Sequence, residues 1–307
     1  MKILLTEGTG LIGQAICKYW SDMGYELIVL SRRPDQVAQT CSGARGIATL
    51  SEIPKDESID AIINLSGAPI ADKRWSISRR SVLWQSRVDF TQQLVDWVST
   101  LVTKPKVMIS GSATGWYGNS HDNILTESNS TQSQDFGSQL CRAWEDEASK
   151  ITTYGVRLIL LRTAPVLSAH GGMLQRLMVV FKLGLGGRMG SGRQWMSWIH
   201  IHDKVKLIDF LLHHSECNGV FNACSPEPVR NQEFTKTLSK IVNKPAFIPV
   251  PAWLLQLGLG ELSGLMLDSQ RAIPERALEY GFSFDFPKLD DALNNLIKLH
   301  QTACHNI

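Results

Sequence analysis

Apolar runs alternate with segments of helical periodicity through the first half of the chain. Nearly continuous hydrophobicity of this kind is typical of parallel strands that are buried on both faces. Between the third and fourth runs, apolar residues recur at helical spacing, which predicts a helix over 86–102. A further helix is predicted over 138–151, with Trp144 facing the sheet. The apolar runs occupy residues 2–6, 26–31, 60–67, 106–112 and 156–163.

This alternation ends after Thr163. Residues 164–198 are rich in glycine and predict an irregular lobe, whereas 199–225 predict a strand, a helix and a late strand that returns to the main sheet. Because strand–helix–strand units connect by right-handed crossovers, the first half predicts an α/β fold with a Rossmann-type doubly wound parallel sheet. We therefore assign 1–163, joined by 199–225, to a Rossmann domain. The segments 164–198 and 226–307 are assigned to a smaller α+β C-terminal lobe.

A glycine-rich loop lies between the first predicted strand and an amphipathic helix that begins at Leu11. The start of a helix offers free backbone N–H groups and the positive end of the helix dipole, and both favour a phosphate. A glycine loop in this context predicts a dinucleotide site rather than a purely structural turn. The predicted cofactor contacts are Gly8, Thr9, Gly10, Leu11, Ile12 and Gly13.

The end of the second predicted strand indicates which dinucleotide is bound. A carboxylate at this point would bind the ribose diol of NAD, whereas arginine accepts the 2′-phosphate of NADP. The sequence there is Ser31-Arg32-Arg33. It favours NADP(H), with Ser31 and Arg32 as contacts, and a solvated basic turn is the alternative.

Charge and composition narrow the class of protein. The formal net charge is only +2, so the chain as a whole has no attraction to nucleic acid or to an anionic membrane. The most apolar stretch, 251–267, contains Glu261 and several glycines and is too short to span a bilayer. The six cysteines are scattered without a C-x-x-C pair, which favours reduced thiols. A cytoplasmic protein with a small-molecule substrate is expected, and a homodimer is compatible with the sequence.

Several motifs together resemble an atypical branch of the extended short-chain dehydrogenase/reductases. This branch is the NAD-dependent epimerase/dehydratase-like, or cell-division-inhibitor-like, group with a C-terminal domain of unknown function. The resemblance covers essentially the whole chain, and its glycine loop has the register G-x-x-G-x-x-G. Glu7 therefore stands where the family has its first glycine. The motifs are TEGTGLIG, VLSRRP, INLSGAPIADKRW, SGSATGWYG, LGLGGRMGSGRQWMSWIHIHD and RAIPERALEYGFSF.

The resemblance implies further cofactor contacts and one departure from the family. Leu65 and Ser66 would pass beside the adenosine and pyrophosphate, and Arg87 would reach phosphate or ribose. Arg162 and Thr163 end a predicted strand, at the edge where open α/β sheets bind ligands. A carboxylate at Glu7 would repel a pyrophosphate unless Arg32, Arg33 or a lysine neutralised it, so we expect weakened NADP(H) binding. The alternative is that Glu7 points to solvent and has little effect.

The catalytic residues typical of the superfamily are incomplete. Ser112 follows a strand, as the superfamily serine does, but Phe136 and Leu140 occupy the positions of the tyrosine and lysine of Y-x-x-x-K. Phenylalanine cannot transfer a proton. Tyr117 is the candidate replacement acid, and a loop tyrosine that only shapes the pocket is the alternative.

The predicted strand around residue 200 raises two further interpretations. His200 and His202 would share one face of this strand, but the sequence nominates no further metal ligands and no metal is expected. Asp203 is predicted to cap the helix that follows.

The substrate is not identified by the sequence. Met196 and Ser197 replace the arginine–aspartate pair with which nucleotide-sugar members hold a diphosphate, which argues against such a substrate. Four tryptophans are candidates for an aromatic pocket or for lobe core, namely Trp75, Trp116, Trp195 and Trp198. Two functions stay open: an NADP(H)-dependent epimerase-like oxidoreductase acting on a small carbonyl or hydroxyl compound, and a non-catalytic NADP(H)-binding sensor.

Overall fold

The computed structural model describes residues 1–130 and 133–305, with side chains as far as residue 299. Residues 306 and 307, which the predicted smaller lobe includes, lie outside this part. The strands are β1 Lys2–Thr6, β2 Glu26–Leu30, β3 Arg45–Ile47, β4 Ala61–Asn64, β5 Val107–Ala113, β6 Ile124–Leu125, β7 Arg157–Thr163, β8 Val166–Ser168, β9 Trp195–Met196, β10 Ile199–His200, β11 Gly219–Ala223, β12 Val229–Arg230 and β13 Arg271–Ala272.

Helices cover both faces of the main sheet and build most of the smaller lobe. They are α1 Leu11–Trp20, α2 Val37–Thr40, α3 Ile77–Trp84, α4 Phe90–Thr100, α5 Phe136–Ser149, α6 Gly172–Lys182, α7 Ile201–His213, α8 Asn231–Val242, α9 Ala252–Leu259, α10 Gly264–Leu267, α11 Glu275–Glu279 and α12 Leu289–His305.

The main sheet has seven parallel strands in the order β3-β2-β1-β4-β5-β7-β11. Successive residues of β1 point to opposite faces, and both faces are buried. Ile3 and Leu5 pack with α1 and α7, whereas Leu4 packs with α4 on the other side. This two-sided burial explains the nearly continuous hydrophobicity of the strands and confirms the predicted Rossmann-type α/β fold.

Several short elements of the structure are absent from the sequence prediction, and β3 and α6 are two that shape the sheet and the smaller lobe. Strand β3, Arg45–Ile47, has only three residues and begins with an arginine, so it carries no apolar run of its own. It is a strand because the edge of β2 offers it a hydrogen-bonding partner. The prediction of an irregular lobe over 164–198 is also wrong in part, because α6 buries Leu174, Met178 and Phe181 against α8 and α12.

The helix predicted over 86–102 is real but begins earlier and ends at Thr100. Ser76 caps it, with its hydroxyl accepting the N–H of Arg79 at 3.2 Å. A single π-helical segment, Gln85–Asp89, joins α3 to α4. Such π-turns frequently occur at functional sites, and this one carries Arg87.

Two predictions around residue 200 are wrong. The strand β10 ends at His200 and α7 begins at Ile201, so His200 and His202 do not share a strand face. Asp203 does not cap α7, because the ring of His200 accepts the N–H of His202 in that role. The Asp203 carboxylate accepts instead the N–H groups of Asp285 and Phe286, at 2.9 and 3.0 Å, and so ties the last loop to α7.

Three properties of the described residues bear on the predicted class of protein. Trp198 lies buried in the core of the smaller lobe, together with residues of α8 and α12. The cysteine side chains that the structure describes are free thiols and are buried. Among the described helices, none has the length and apolar composition needed to cross a bilayer.

Candidate functional site

The turn after β1 is closed by backbone packing that tolerates only glycine at its centre. A Cβ on Gly13 would lie 2.3 Å from the carbonyl oxygen of Glu7 and 2.5 Å from the Cα of Gly8. A Cβ on Gly8 would lie 2.6 Å from the side chain of Val29 in β2. The loop therefore presses against the first turn of α1 and against the sheet, as a phosphate-binding turn requires.

The start of α1 has no side chain that satisfies its first N–H groups. Gly10 occupies the N-cap position and makes no side-chain cap. The Gln14 side-chain amide donates to the carbonyl of Thr9 at 2.7 Å, which holds the loop at the helix start. The backbone N–H groups of Leu11 and Ile12, in the first turn of α1, therefore remain available to an anion.

Glu7 occupies a left-handed backbone conformation, with φ of 56°. This region favours glycine, so the structure explains why a glycine would suit the position better. The Glu7 carboxylate folds back over the loop, where Oε2 lies 4.0 Å from the place a Cβ would take on Gly10. A negative side chain therefore lies at the positive end of α1, where the pyrophosphate is predicted to bind.

Arg87 is a buried cation on which Glu7 has a minor electrostatic effect. The Arg87 guanidinium lies under Gly67, donates to the carbonyl of Ala68 at 3.0 Å, and lies 5.4 Å from the ring centre of Trp144. Burial lowers the pKa of Arg87 to about 10, against the opposing attraction of Cys141 and Glu7. The predicted contact of Arg87 with phosphate stays a prediction, because the structure shows its guanidinium bound to protein.

We expect Glu7→Gly to bind NADPH more tightly than the wild type, by roughly threefold to tenfold. The change removes a like charge from the pyrophosphate site. It also relieves a left-handed backbone conformation, which costs a non-glycine residue about 1–2 kcal/mol. This gain in folding free energy is partly offset by the flexibility of glycine in the unfolded chain. Calorimetric titration of both proteins with NADPH measures the effect, and equal affinities would show that the carboxylate does not oppose the cofactor.

The end of β2 presents two arginines to solvent. Arg32 and Arg33 are exposed, and within the described residues neither guanidinium makes a hydrogen bond or an ion pair. The Ser31 hydroxyl accepts the N–H of Arg33 at 3.1 Å and fixes the turn. Both arginines are therefore available to an anion from solution.

The segment after β4 is fixed by the ends of the neighbouring strands. The N–H of Leu65 donates to the Thr6 hydroxyl at 2.8 Å, and the N–H of Ser66 donates to the Asn64 side chain at 3.3 Å. The Asn64 amide also donates to Thr91 at 2.9 Å. Leu65 and Ser66 therefore lie at the carboxyl edge of the sheet, beside the strand β1 that precedes the glycine loop.

Ser112 belongs to a buried polar cluster under the sheet edge. Its hydroxyl donates to Glu145 of α5 at 2.6 Å, and Arg162 binds the same carboxylate through two nitrogens at 2.8 Å each. The Arg162 guanidinium also stacks on Trp116, with its carbon 3.4 Å from the ring centre. The structure thus gives Ser112 and Arg162 protein partners, and their predicted contacts with substrate and cofactor stay predictions.

Tyr117 is buried beside the same cluster. Its hydroxyl donates to the side chain of Asn222 at 2.9 Å and to the carbonyl of Thr126 at 3.0 Å. Burial raises the pKa of Tyr117 to about 12, with opposing effects from Arg162 and Asn222. The proton-transfer role predicted for Tyr117 stays a prediction, and so does the pocket-shaping alternative.

Thr163 faces the opposite side of the sheet from Arg162. Its hydroxyl accepts a hydrogen bond from the Lys204 side-chain nitrogen at 2.7 Å and donates one to the carbonyl of Leu161 at 3.0 Å. Lys204 is fully buried on α7, and this burial lowers its pKa to about 7. No sequence pattern distinguishes Lys204, which lies in an otherwise ordinary amphipathic helix.

A cavity of about 420 Å³ opens between the carboxyl edge of the sheet and the smaller lobe. Phe136, at the sequence position of the missing tyrosine, lines it together with Trp75, and their rings meet edge to face at 5.3 Å. Of the four candidate tryptophans, Trp75 is the one that lines this cavity, and neither Ser112 nor Tyr117 does so. The smaller lobe lines the rest of the cavity with residues of α9, of α10 and of the segment from α10 to Gln270.

Comparison of the sequence with known families agrees with this geometry. The profile of the "NAD dependent epimerase/dehydratase family" matches residues 3–224, and "Domain of unknown function (DUF1731)" matches residues 250–296. The chain belongs to the NAD dependent epimerase/dehydratase family. The predicted family resemblance is therefore confirmed, including the second domain of unknown function.

Relatives within this epimerase family cover the whole chain. The Epimerase family protein YfhF of Bacillus subtilis is 33% identical over 308 residues, which span 99% of this chain and 100% of the relative. The Epimerase family protein SH2119 of Staphylococcus haemolyticus is 34% identical over 299 residues, 96% of this chain and 99% of the relative.

Solved structures of epimerase proteins have the same fold. The crystal structure of human epimerase family protein SDR39U1 (isoform 2) with NADPH superposes with a TM-score of 0.87 at 30% identity, covering 97% of this chain and 99% of that one. UDP-glucuronic acid 4-epimerase of Bacillus cereus, in complex with UDP-glucuronic acid and NAD, superposes with a TM-score of 0.78 over 99% and 100% of the two chains. At 17% identity the second likeness shows the fold alone.

Three residues that line the cavity were not predicted from the sequence, one in the Rossmann domain and two in the smaller lobe. Arg80, Asp268 and Gln270 line the cavity but belong to segments with no recognisable motif. Gln270 is joined to the end of β5, because its side-chain oxygen accepts the Thr114 hydroxyl at 2.9 Å. No pattern in the sequence indicates this contact, which joins residues 156 positions apart.

Proposed function

We propose that this chain binds NADP(H) at the start of α1 and acts as an epimerase-like oxidoreductase on a small carbonyl or hydroxyl compound held in the cavity. The observation that carries the proposal is the glycine turn, which leaves the first N–H groups of α1 unsatisfied. The arginines at the end of β2 support NADP(H) over NAD(H), as does the NADPH in the structure of the human relative.

The residues of this chain have distinct roles in the proposal. The N–H groups of Leu11 and Ile12 hold the pyrophosphate, and Arg32 binds the 2′-phosphate beside Ser31. The backbone at Leu65 and Ser66 borders the adenosine side of the site. NADP(H), when bound, supplies or accepts a hydride at the carboxyl edge of the sheet.

The walls of the cavity decide which compounds reach the carboxyl edge of the sheet. Trp75 and Phe136 give one wall an aromatic surface, and the smaller lobe closes the opposite side. Met196 and Ser197 do not line the cavity within the described residues, and no arginine replaces them there except Arg80, which is paired with Glu261. A small compound without a diphosphate fits this set of side chains.

A second function, a non-catalytic NADP(H)-binding sensor, is favoured by a specific observation. Phe136 and Leu140 replace the usual tyrosine and lysine, while Ser112 and Tyr117 are buried and bound to protein groups. A sensor needs the cofactor site and no proton donor in the cavity. The two functions therefore differ in turnover and agree in cofactor binding.

We expect Arg32→Ala to weaken NADPH binding by roughly tenfold to a hundredfold and to leave NADH binding unchanged. A charge-assisted hydrogen bond contributes about 1.5–3 kcal/mol, and only NADPH carries the phosphate that makes it. Calorimetric titration of the apoprotein with each coenzyme measures this, with Lys18→Ala as a matched loss of one exposed positive charge. Equal losses for both coenzymes would refute the assignment of Arg32 to the 2′-phosphate.

Turnover separates the enzyme from the sensor. NADPH oxidation is measured with a panel of aldehydes, ketones and quinones, and Ser112→Ala and Tyr117→Phe are assayed beside the wild type. Turnover that either substitution abolishes would support direct roles for these residues. NADPH binding without turnover on the panel would favour the sensor.

A further inference from the structure

The cavity holds four ionisable side chains, and three of them already have partners. Arg80 forms an ion pair with Glu261 and lies 5.0 Å from the ring centre of Phe136. Asp135 is the N-cap of α5. Its carboxylate accepts hydrogen bonds from the backbone N–H of Ser138 at 2.9 Å and from the Ser138 hydroxyl at 2.6 Å. The fourth is Asp268.

The Asp268 carboxyl is half-buried and faces the cavity. Within the described residues it makes no hydrogen bond or ion pair, although its backbone N–H donates to Gly264 at 2.9 Å. An oxygen of the carboxyl lies 2.9 Å from the place a Cβ would take on Gly264, so it folds over the start of α10. A carboxyl without a partner among the described residues is available to a ligand.

The segment that carries Asp268 is fixed to the main sheet at the edge where ligands bind in open α/β folds. Gln270, two residues further on, accepts the Thr114 hydroxyl just beyond β5. Ser269 accepts the N–H of Trp195 at 3.0 Å through its hydroxyl, and its carbonyl accepts the N–H of Ser120 at 2.9 Å. These contacts hold Asp268 across the cavity wall from Phe136, which has no hydroxyl to donate.

We propose that Asp268, in its protonated form, delivers the proton to the carbonyl oxygen of a substrate bound in this cavity. The assignment rests on the proposed reductase function. The substrate carbon receives a hydride from the reduced nicotinamide, and the electron pair of its C=O π bond moves to oxygen. That oxygen takes the proton as the O–H bond of Asp268 breaks. The products are an alcohol, the oxidised nicotinamide and the Asp268 carboxylate, which takes a new proton from water.

The surroundings of Asp268 favour its protonated form. Burial raises the pKa of Asp268, and the negative charge of Asp135 raises it further, against a smaller opposite effect of His121. Although burial acts against it, hydrogen bonds from Ser133 and Ser138 lower the pKa of Asp135. Two carboxyl groups whose pKa values are moved apart are typical of an acid and its charged neighbour.

The directions of these two pKa shifts give the expected pH dependence of turnover. A general acid works in its protonated form, so turnover should fall as the pH rises through the elevated pKa of Asp268. Asp135→Asn removes the neighbouring negative charge and should move this fall to lower pH. Asparagine caps helices as well as aspartate does, so α5 should keep its N-cap. The remaining charged groups around the cavity, Arg80 and Glu261, neutralise each other.

The first experiment measures the proton on Asp268 directly, without cofactor or substrate. Infrared difference spectra of the apoprotein are recorded over a pH series for wild type, Asp268→Asn and Glu261→Gln. The C=O band of a protonated carboxyl should persist in wild type above the ordinary aspartate pKa of about 3.9. Burial also raises the pKa of Glu127 and of Asp203, so the Asp268 band is the part that wild type shows and Asp268→Asn lacks. Glu261→Gln should keep this part. Identical spectra of wild type and Asp268→Asn above the ordinary pKa would overturn the proposal.

The second experiment uses phenanthrenequinone and nitrobenzaldehyde as probes of NADPH oxidation. Asp268→Asn should lower kcat/KM by roughly 10²–10⁴ and remove the fall at high pH, with NADPH affinity unchanged. Asp268→Glu should restore part of the rate. Turnover in Asp268→Asn with the wild-type pH profile would overturn the role of Asp268 alone. NADPH binding without turnover on either probe in wild type would overturn both this role and the reductase function.

Discussion

Gly13→Ala is expected to abolish NADPH binding at millimolar coenzyme and to lower stability by about 1–3 kcal/mol. The new methyl group would lie 2.3 Å from the Glu7 carbonyl oxygen and 2.5 Å from the Cα of Gly8. Both neighbours are backbone atoms, so the clash cannot be relieved by turning a side chain. The turn must move away from the first turn of α1, which removes the anion site that both form together.

Calorimetric titration with NADPH and denaturant unfolding measure these two effects of Gly13→Ala. Gly258→Ala is the matched control, because a Cβ on Gly258 meets no atom within 4 Å and the residue lies inside α9. It should bind NADPH as the wild type does and gain up to about 1 kcal/mol of stability, since alanine is the better helix former. Wild-type affinity in Gly13→Ala would show that the glycine turn is not the pyrophosphate site.

Glu145→Gln is expected to cost about 3–5 kcal/mol of unfolding free energy, the largest stability loss that we predict. Glu145 and Arg162 form a bidentate ion pair in which the side chains are only 8% and 4% exposed. Removing the carboxylate charge leaves the buried guanidinium without compensation, and Ser112 loses its charged acceptor at the same time.

The matched control for Glu145→Gln lies on the same helix. Glu147→Gln removes an equal charge from the pair with Lys150, whose side chain is 58% exposed, and should cost no more than about 1 kcal/mol. Urea unfolding of the three proteins gives the comparison. A double variant, Glu145→Leu with Arg162→Met, should recover much of the loss, because apolar side chains need no charge partner. Similar costs for Glu145→Gln and Glu147→Gln would contradict the assigned importance of the buried pair.

Local patterns were sufficient for the main sheet and the cofactor turn. Strands such as β1 and β2 are predictable because burial on both faces favours apolar side chains at successive positions. Strand β3 is not, because an edge strand of three residues depends on hydrogen bonds from β2. The side chains of β3 therefore give little indication that these residues form a strand.

The close packing of the glycine turn was predictable from the sequence. Gly13 could be recognised because only glycine allows the close approach of turn and helix. The direction of a polar side chain at the end of a strand could not be predicted in this way. Ser112 was predicted to follow a strand but lies within β5, and its hydroxyl turns to Glu145, a residue that nothing in the local sequence connects with it.

By itself the sequence determined the parallel sheet, the dinucleotide turn and the basic end of β2, because each depends on residues that are neighbours along the chain. Only the tertiary structure decided which charges are paired, which serine and tyrosine are withdrawn into protein contacts, and which carboxyl faces the cavity. Asp268 and Phe136 come from segments far apart in the chain and line one cavity only after the smaller lobe has packed on the sheet edge. Burial and distance between such groups set their chemistry, and neither is encoded in local sequence.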